Sequence, residues 1–359
     1  MKKILLTFLI AFGYSNVKAQ EEIVKSPFTF SGYVDIYYSY DLAKPENHNR
    51  PGFFYNYNKS NEVNLNLGLV KVNYTTATIR GNFALMAGTY PEYNMAAEQA
   101  LLKNVYEANV GVKISQKHNL WIDAGIMPSH IGFESAIGKD CLTLTRSILA
   151  ENSPYYEAGV KLSYTSESGK WYLAGMYLNG WQRIQKEEGN QTPAFGTQIT
   201  YKPSDKVVLN WSTYMGNEQP DLDKKWRYFN DFYGQFKLNE KTNITAGFDI
   251  GFEQIAKNST QYNTWLAPIL ILQYKPTAKF QLAARGEYYS DKNAVIVATS
   301  TANGFKTYGF STNFDYLISN TVIFRIEARN LSSKDAIFTK NNIPTDTNTF
   351  VTTSLAISF

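Results

Sequence analysis

The residues with the most chemical potential in this chain are charged side chains at alternate positions of short segments whose intervening positions are apolar or aromatic. This alternation has the period of a β-strand, so each charge lies on the face opposite the apolar one. Both signs are equally frequent. The set comprises Arg80, Glu107, Lys113, Asp123, Glu157, Lys161, Asp249, Arg285, Glu287, Arg325, Glu327 and Arg329. It predicts a water-facing surface of mixed charge rather than a single reaction centre.

A second candidate group lies in the long segment from Pro128 to Pro154. It contains His130, Glu134, Lys139, Asp140, Arg146 and Glu151. Loops of this length inside a compact fold are usually functional. One prediction is a loop that folds inward and narrows a passage, where Glu134, Asp140 and Arg146 would set charge selectivity. The alternative is a surface loop whose charges are solvated.

The sequence contains no strong candidate for a catalytic arrangement of residues. Ser129 and His130 are adjacent, and neighbours in a strand point to opposite faces, so they cannot form a nucleophile–base pair there. The other histidines, His48 and His118, fall in predicted connections, and neither a G-x-S-x-G motif nor a zinc-like spacing occurs. We therefore predict no enzymatic activity, catalytic residue, metal or cofactor.

The elements that would position these charges are strands, and the final one is the most regular. Residues 348–359 read NTFVTTSLAISF and place Val351, Thr353, Leu355, Ile357 and Phe359 on one face. A period of two that ends on an aromatic residue is typical of the closing strand of a transmembrane β-barrel. A charge on the lipid face of such a barrel costs about 2–4 kcal/mol, so the charged set must face inward.

The same alternation recurs along the chain and predicts about sixteen antiparallel strands, with fourteen as the alternative. The predicted bounds are 28–41, 62–73, 76–88, 105–114, 120–127, 156–164, 171–178, 194–201, 207–215, 228–238, 244–252, 265–274, 280–289, 305–316, 322–329 and 348–359. Short turns alternate with long loops, as periplasmic turns and external loops do in outer-membrane barrels. Pro268 within a strand predicts a bulge there or an error of one strand pair. The segment from Met95 to Leu102 is helix-prone.

Composition agrees with an exported barrel. Residues 1–19 have Lys2 and Lys3, a short apolar run and a V-K-A cleavage pattern, which predicts a signal peptide followed by one barrel domain over 20–359. After it no apolar run is long enough for a transmembrane helix. The formal charge of +4 includes Lys2, Lys3 and Lys18, so the mature chain carries about +1 and nucleic acid is not an expected partner. A soluble β-sandwich is the alternative, but it would not keep the regular alternation of short and long connections.

The stretch Trp121–Ser135, WIDAGIMPSHIGFES, with Thr145-Arg146-Ser147 and the sequence PYYEAG from Pro154 to Gly159, resembles the OmpL-like family of β-barrel porins. The resemblance implies an outer-membrane barrel with passive transport. It also implies that Glu134 and Arg146 are pore-loop residues. Gly125 and Gly132 would serve the geometry of the loop.

The sequence thus predicts an outer-membrane diffusion channel for small hydrophilic solutes or ions, surrounded by outer-membrane lipid. A homotrimer would fit, because sixteen-stranded porins are commonly trimeric. The alternative is a non-conducting barrel whose external loops bind a partner or a surface saccharide. The aromatic segment Pro51–Tyr57 would suit saccharide stacking.

Overall fold

The computed structural model describes residues 26–359, so the predicted signal peptide lies outside the described residues. Within them, β-strands dominate. The barrel strands are β1 (Phe28–Asp41), β2 (Val63–Thr75), β3 (Ile79–Ala87), β4 (Val105–Lys113), β5 (Asn119–Pro128), β6 (Tyr156–Thr165), β7 (Trp171–Leu178), β8 (Ala194–Ser204), β9 (Val207–Asn217), β10 (Trp226–Lys237), β11 (Thr242–Gln254), β12 (Tyr262–Tyr274), β13 (Phe280–Asp291), β14 (Phe305–Leu317), β15 (Val322–Ser333) and β18 (Thr347–Ser358). A small external hairpin is formed by β16 (Phe338–Lys340) and β17 (Ile343–Thr345).

These strands form a closed antiparallel barrel in which each strand pairs with its sequence neighbours and β18 returns to β1. The closing register runs from Tyr33 opposite Ser358 to Asp41 opposite Phe350. The Gly32 amide donates to the Phe359 carbonyl at 2.7 Å. The prediction of sixteen strands closed by the last segment is therefore confirmed for the described residues, and the fourteen-strand alternative is wrong.

Pro268 does not bulge its strand, contrary to the sequence-based prediction. The register with β11 passes through Phe248 opposite Pro268 without a shift. The register with β13 is the same on both sides of Pro268, with Leu266 opposite Ser290 and Ile269 opposite Glu287. Because proline lacks an N–H, the β12–β13 ladder lacks pairs at this point, but its register does not change.

A register shift between β1 and β2 does change one predicted face. The alternation in residues 62–73 predicts that Val63, Leu65, Leu67 and Leu69 share the lipid-facing side. The pairing slips between Asp35 and Ile36, and Leu67 is 0 % exposed inside the barrel whereas Val70 is 59 % exposed outside. An extra residue in one strand moves all that follow to the other face.

The outer surface of the barrel is apolar and the inner one polar. Outward positions such as Phe30, Val110 and Phe310 are exposed, whereas inward charges such as Arg285 and Glu327 are buried. Aromatic pairs lie near strand ends, including Trp171 on Tyr201 with ring centroids 4.2 Å apart. This distribution is that of a barrel with a lipid-facing apolar band and interfacial aromatics.

Helices are few and short in residues 26–359. They are α1 (Thr89–Asn94) and α2 (Ile148–Glu151), with single 3₁₀ turns at Leu102–Asn104, Gly138–Asp140 and Asp221–Asp223. None of the described helices is long and apolar enough to cross a membrane.

The helix predicted from Met95 to Leu102 is wrong. The chain turns there, and Glu98 instead accepts hydrogen bonds from the Tyr156 hydroxyl at 3.0 Å and the Ile184 amide at 2.7 Å. These tertiary contacts outweigh the intrinsic helix propensity of the segment.

Candidate functional site

The third long loop, which we name L3 (residues 129–155), lies inside the barrel against β13, β14 and β15. Its backbone is held by side chains of the wall. The Leu144 amide donates to Asn313 Oδ1 at 2.9 Å, and the Thr145 amide donates to Glu327 Oε2 at 2.5 Å. The Ile148 amide donates to Glu287 Oε2 at 2.7 Å. L3 is therefore an internal segment and not a solvated surface loop.

Three arginines of the barrel wall donate hydrogen bonds to backbone carbonyl groups of L3. Arg285 Nη1 donates to the Thr145 carbonyl at 2.7 Å, Arg329 Nη1 to the Arg146 carbonyl at 2.8 Å, and Arg325 Nη1 to the Gly138 carbonyl at 2.6 Å. Backbone groups buried away from water need such partners. The strands of this wall thus satisfy the irregular backbone that L3 brings into the interior.

The same arginines form a buried network with carboxylates of the wall. Arg285 Nη2 lies 2.7 Å from Glu327 Oε1, and Glu287 also pairs with Arg329. Arg325 Nε lies 2.7 Å from Asp315 Oδ1. Each guanidinium thus has a carboxylate partner, which is the condition under which buried charge is tolerated.

Within L3, Arg146 and Glu134 hold the loop in shape. Arg146 donates to the backbone carbonyls of Ser135, Leu144 and Ala136. Glu134 accepts from the Ser147 amide at 3.1 Å, and Ser147 Oγ caps α2 by accepting from the Ala150 amide at 3.0 Å. Glu134 and Arg146, two of the three predicted selectivity residues, thus make these hydrogen bonds within the loop.

The start of L3 is anchored on the other side of the barrel by His130. Its Nδ1 lies 2.7 Å from Glu157 Oε2 and its Nε2 lies 2.8 Å from the Thr213 carbonyl. Gly196 leaves room for the ring, since a Cβ there would meet it at 2.7 Å. Both partners only accept, so both contacts are hydrogen bonds only when the imidazole carries two protons. Burial lowers the pKa of His130, but the Glu157 carboxylate and the Thr213 carbonyl outweigh it and raise the pKa above its ordinary value.

The first long loop, named L1 (residues 42–62), is also partly internal. Phe54 and Tyr57 are buried. Glu151 of L3 accepts from the Tyr55 amide at 3.0 Å and the Asn56 amide at 3.2 Å. Burial raises the pKa of Glu151 to about 7. The predicted use of Pro51–Tyr57 as an exposed stacking surface is not supported, because its central rings pack inside the mouth.

The remaining predicted wall residues lie on β3 to β6 and β11. Arg80 and Asp123 form a bidentate pair, with Nε to Oδ1 at 2.6 Å and Nη2 to Oδ2 at 2.5 Å. Glu107 pairs with Lys71. Asp249 lies directly opposite Asp231 in the β10–β11 register. The other predicted residues are Lys113 and Lys161, partly exposed on the inner face, and Lys139 and Asp140, an exposed pair in L3.

Sequence reasoning missed several inward residues. Lys71, Asp231, Asn313 and Asp315 are inner-face residues of β2, β10 and β14. Their positions in the alternating pattern could have identified all but Lys71, whose face depends on the register shift. No sequence signal pairs His130 with Glu157.

Several cavities adjoin these elements, including one of about 300 Å³ at the end with the short turns, lined by Lys139, Asp140 and Asp315. One of about 190 Å³ lies between L3 and β4, lined by Tyr106, Phe133 and Tyr155. One of about 390 Å³ lies at the end with the short turns, between β6 and β10. One of about 400 Å³ lies at the end with the long loops, between L1 and the β16–β17 hairpin. In residues 26–359 no group of three or more His, Cys, Asp or Glu is arranged to hold a metal ion.

A closed sixteen-stranded barrel with an apolar outer band, a polar interior and an inward-folded loop defines the class of outer-membrane porin-like barrels. The chain belongs to the family described as "Putative beta-barrel porin-2, OmpL-like", whose model matches residues 27–359. The family resemblance predicted from the sequence and the outer-membrane location are thereby confirmed. No functionally curated protein matches the sequence.

Solved structures with the same fold are distant in sequence. The anion-selective porin from Comamonas acidovorans is 8 % identical, with 92 % of this chain and 99 % of that chain covered and a TM-score of 0.61. The outer membrane channel DcaP of Acinetobacter baumannii is 12 % identical, with coverages of 92 % and 97 % and a TM-score of 0.62. The trimer form of OmpT from Vibrio cholerae is 10 % identical, with coverages of 92 % and 99 % and a TM-score of 0.60. At these identities the likeness establishes the fold alone.

Proposed function

We propose that this protein is a passive diffusion channel for small hydrophilic solutes or ions. The observation that carries the proposal is the asymmetric position of L3. It packs on the β13–β15 wall, where charges are buried, while inner-face side chains of β2 to β6, such as Lys71, Arg80 and Lys161, keep partial contact with water. A barrel of sixteen strands is too wide to be filled by its own side chains. The solute path would therefore run along the inner faces of β2 to β6, on the side of L3 that faces away from β13–β15.

In this proposal the predicted residues divide into two roles. The charges on β3 to β6 line the path, except Glu157, which is buried and binds His130. Those on β13 and β15 instead hold L3, together with His130, Glu134, Arg146 and Glu151, so that the loop narrows the path. Flow needs no energy source or cofactor, because it follows the solute gradient. Membership of a porin family supports this reading.

The test is single-channel recording of the refolded protein in a planar bilayer. Discrete current steps with a linear dependence on voltage are expected from a water-filled pore. Folding is checked by heat-modifiable gel mobility. A correctly folded barrel that inserts but carries no current at any voltage would overturn the proposal.

A non-conducting barrel that binds a surface saccharide is the second candidate, and one observation favours it. The 400 Å³ cavity at the long-loop end is lined by Asp41, Arg50 and Asn348. Its lining also includes the amide side chains of Asn47, Asn49 and Asn341, which are exposed or partly exposed. A hydroxyl both donates and accepts, so a sugar would satisfy such groups. Saccharide binding measured on a barrel without conductance would favour this candidate.

We also propose a homotrimer. The support is the fold alone, since one structural neighbour is an outer membrane protein described in a trimer form. Measurement of the mass of the protein in detergent, after subtraction of the bound detergent, tests the proposed trimer. A single monomeric species would exclude it.

A further inference from the structure

We propose that the channel prefers small anions, and that a basic vestibule at its short-turn, periplasmic end sets this preference. The vestibule is formed by the inner faces of β2 to β8 and comprises Lys71, Arg80, Lys113, Lys161 and Lys202. The inference rests on the proposed diffusion function and names the class of solute.

The first step is a difference in exposure within two ion pairs. The Lys71 side chain is 28 % exposed whereas that of its partner Glu107 is 4 % exposed. The Arg80 side chain is 33 % exposed whereas that of Asp123 is 5 % exposed. In both pairs the carboxylate lies against the wall and the cation faces water. A passing solute therefore meets the positive member first.

The second step concerns Lys113 and Lys161. Both point inward, because their strand neighbours Val112, Val160 and Leu162 are exposed on the outer face. Lys161 stands opposite Asp123 in the β5–β6 register. No salt bridge involves Lys113 or Lys161 in the described part of the chain. Asp123, the carboxylate opposite Lys161, is instead paired with Arg80, so neither lysine has a salt-bridge partner.

The third step is the cavity of about 390 Å³ at the same end. It is lined by Lys170 and Lys202 together with Tyr172, Tyr233 and Gln235, and its lining includes no acidic residue. On the inner faces of β2 to β9, every charged side chain that is not buried is basic, whereas Glu107, Asp123 and Glu157 are buried.

The charged groups of the opposite wall, including the facing carboxylates Asp231 and Asp249, are buried and not in contact with water. Arg285, Glu287, Arg329 and Glu327 are fully buried and paired with one another. In L3, Lys139 and Asp140 are exposed but form a pair 2.7 Å apart. Selectivity therefore depends on the lysines of β4 and β6, not on Glu134, Asp140 and Arg146 as the sequence alone predicted.

Reversal potentials across a gradient of potassium chloride measure this preference in the refolded channel. We expect a chloride-to-potassium permeability ratio above one. Lys161→Gln and Lys113→Gln should each lower the ratio by about twofold, the effect of one unit charge acting over roughly 10 Å of water. The double variant should lower it further. The preference should weaken in concentrated salt, where the Debye length falls to about 3 Å at 1 M.

Lys334→Gln is the matched control, because it removes the same charge from an exposed position on the long-loop end. It should leave the ratio unchanged. A folded, conducting protein with a ratio of one or below would overturn the inference while leaving the diffusion function intact. Equal effects of Lys161→Gln and Lys334→Gln would also overturn it. Absence of any current would instead overturn the diffusion function, and the inference with it.

Discussion

Gly111 of β4 illustrates how a single residue makes room for an ion pair. The Arg80–Asp123 pair reaches from β3 to β5 over this position, and a Cβ on Gly111 would collide with the Asp123 carboxylate. We expect Gly111→Ala to displace the pair and to destabilise the barrel by about 1–3 kcal/mol, as overpacking usually does. Urea unfolding of the refolded protein, followed by intrinsic fluorescence, measures the loss.

Gly175 of β7 provides the control for this substitution. It is also an inter-strand glycine, but a Cβ there would meet nothing within 4 Å. Gly175→Ala should therefore be close to neutral or slightly stabilising. If both substitutions cost the same, the close approach over Gly111 has no energetic consequence.

Glu327 is the residue on which most of the L3 attachment converges. It accepts from the Thr145 amide, from Thr145 Oγ1 at 2.9 Å and from Arg285 Nη2 at 2.7 Å. Glu327→Gln keeps the shape but leaves Arg285 without this buried charge partner, a change that typically costs about 3–5 kcal/mol. We expect L3 to detach more often, measured as faster proteolytic cleavage between residues 129 and 155.

The comparison for Glu327→Gln is Glu240→Gln in the short turn between β10 and β11. Glu240 pairs with Lys237, but its side chain is largely exposed, and such pairs contribute little. Glu240→Gln should therefore leave the rate of proteolytic cleavage of L3 unchanged. Unchanged cleavage in Glu327→Gln as well would show that the buried network does not hold the loop.

At the scale of elements, the attachment of L3 should depend on pH. The raised pKa of His130 means that its contribution is complete below its ordinary value of 6.5 and is lost as pH rises through the raised value. Glu151 acts in the same direction, because a pKa of about 7 means that its burial becomes costlier as pH rises from 4.5 toward 7. We expect L3 to exchange amide hydrogens faster at pH 8 than at pH 5, after correction for the intrinsic rate.

His130→Gln tests whether His130 is responsible for part of this pH dependence. Glutamine can donate one hydrogen bond to Glu157 but does not titrate, so part of the difference between pH 5 and pH 8 should vanish. The Asp231 carboxylate also helps to raise the pKa of His130, so Asp231→Asn should weaken the histidine contribution without removing it. An unaltered pH dependence in His130→Gln would assign it to other groups.

The strands could be predicted from sequence because alternation is a local property that repeats every two residues. The face of Leu67 could not, because it depends on how β1 and β2 slip past each other between Asp35 and Ile36. The contacts of L3 were equally inaccessible. Arg285 and Glu327 are 42 residues apart, and only the closed barrel brings them to the same loop. The prediction that Pro51–Tyr57 forms an exposed stacking surface fails for a related reason, because loop composition does not reveal whether a loop turns inward.

At the scale of the whole molecule, the barrel is wide enough that a loop must fold inward if its interior is to be narrowed. Sixteen strands enclose a space that would otherwise hold water, and L3 occupies the part beside β13 to β15. Replacing residues 133–150 with a short Gly-Ser linker should remove the loop core but leave the barrel ladder intact. The wall arginines would then be hydrated by the water that replaces the loop. We expect single-channel conductance to rise by roughly twofold or more, because an unfilled barrel of this size leaves a wide aqueous channel.

Deletion of residues 256–260 offers the comparison, because this external connection between β11 and β12 is exposed and lies outside the interior. It should leave conductance unchanged. Equal conductance in the L3 replacement and the intact protein would mean that L3 does not narrow the path. The path would then be limited by the barrel wall itself, and the substitutions of Lys113 and Lys161 would still test its selectivity.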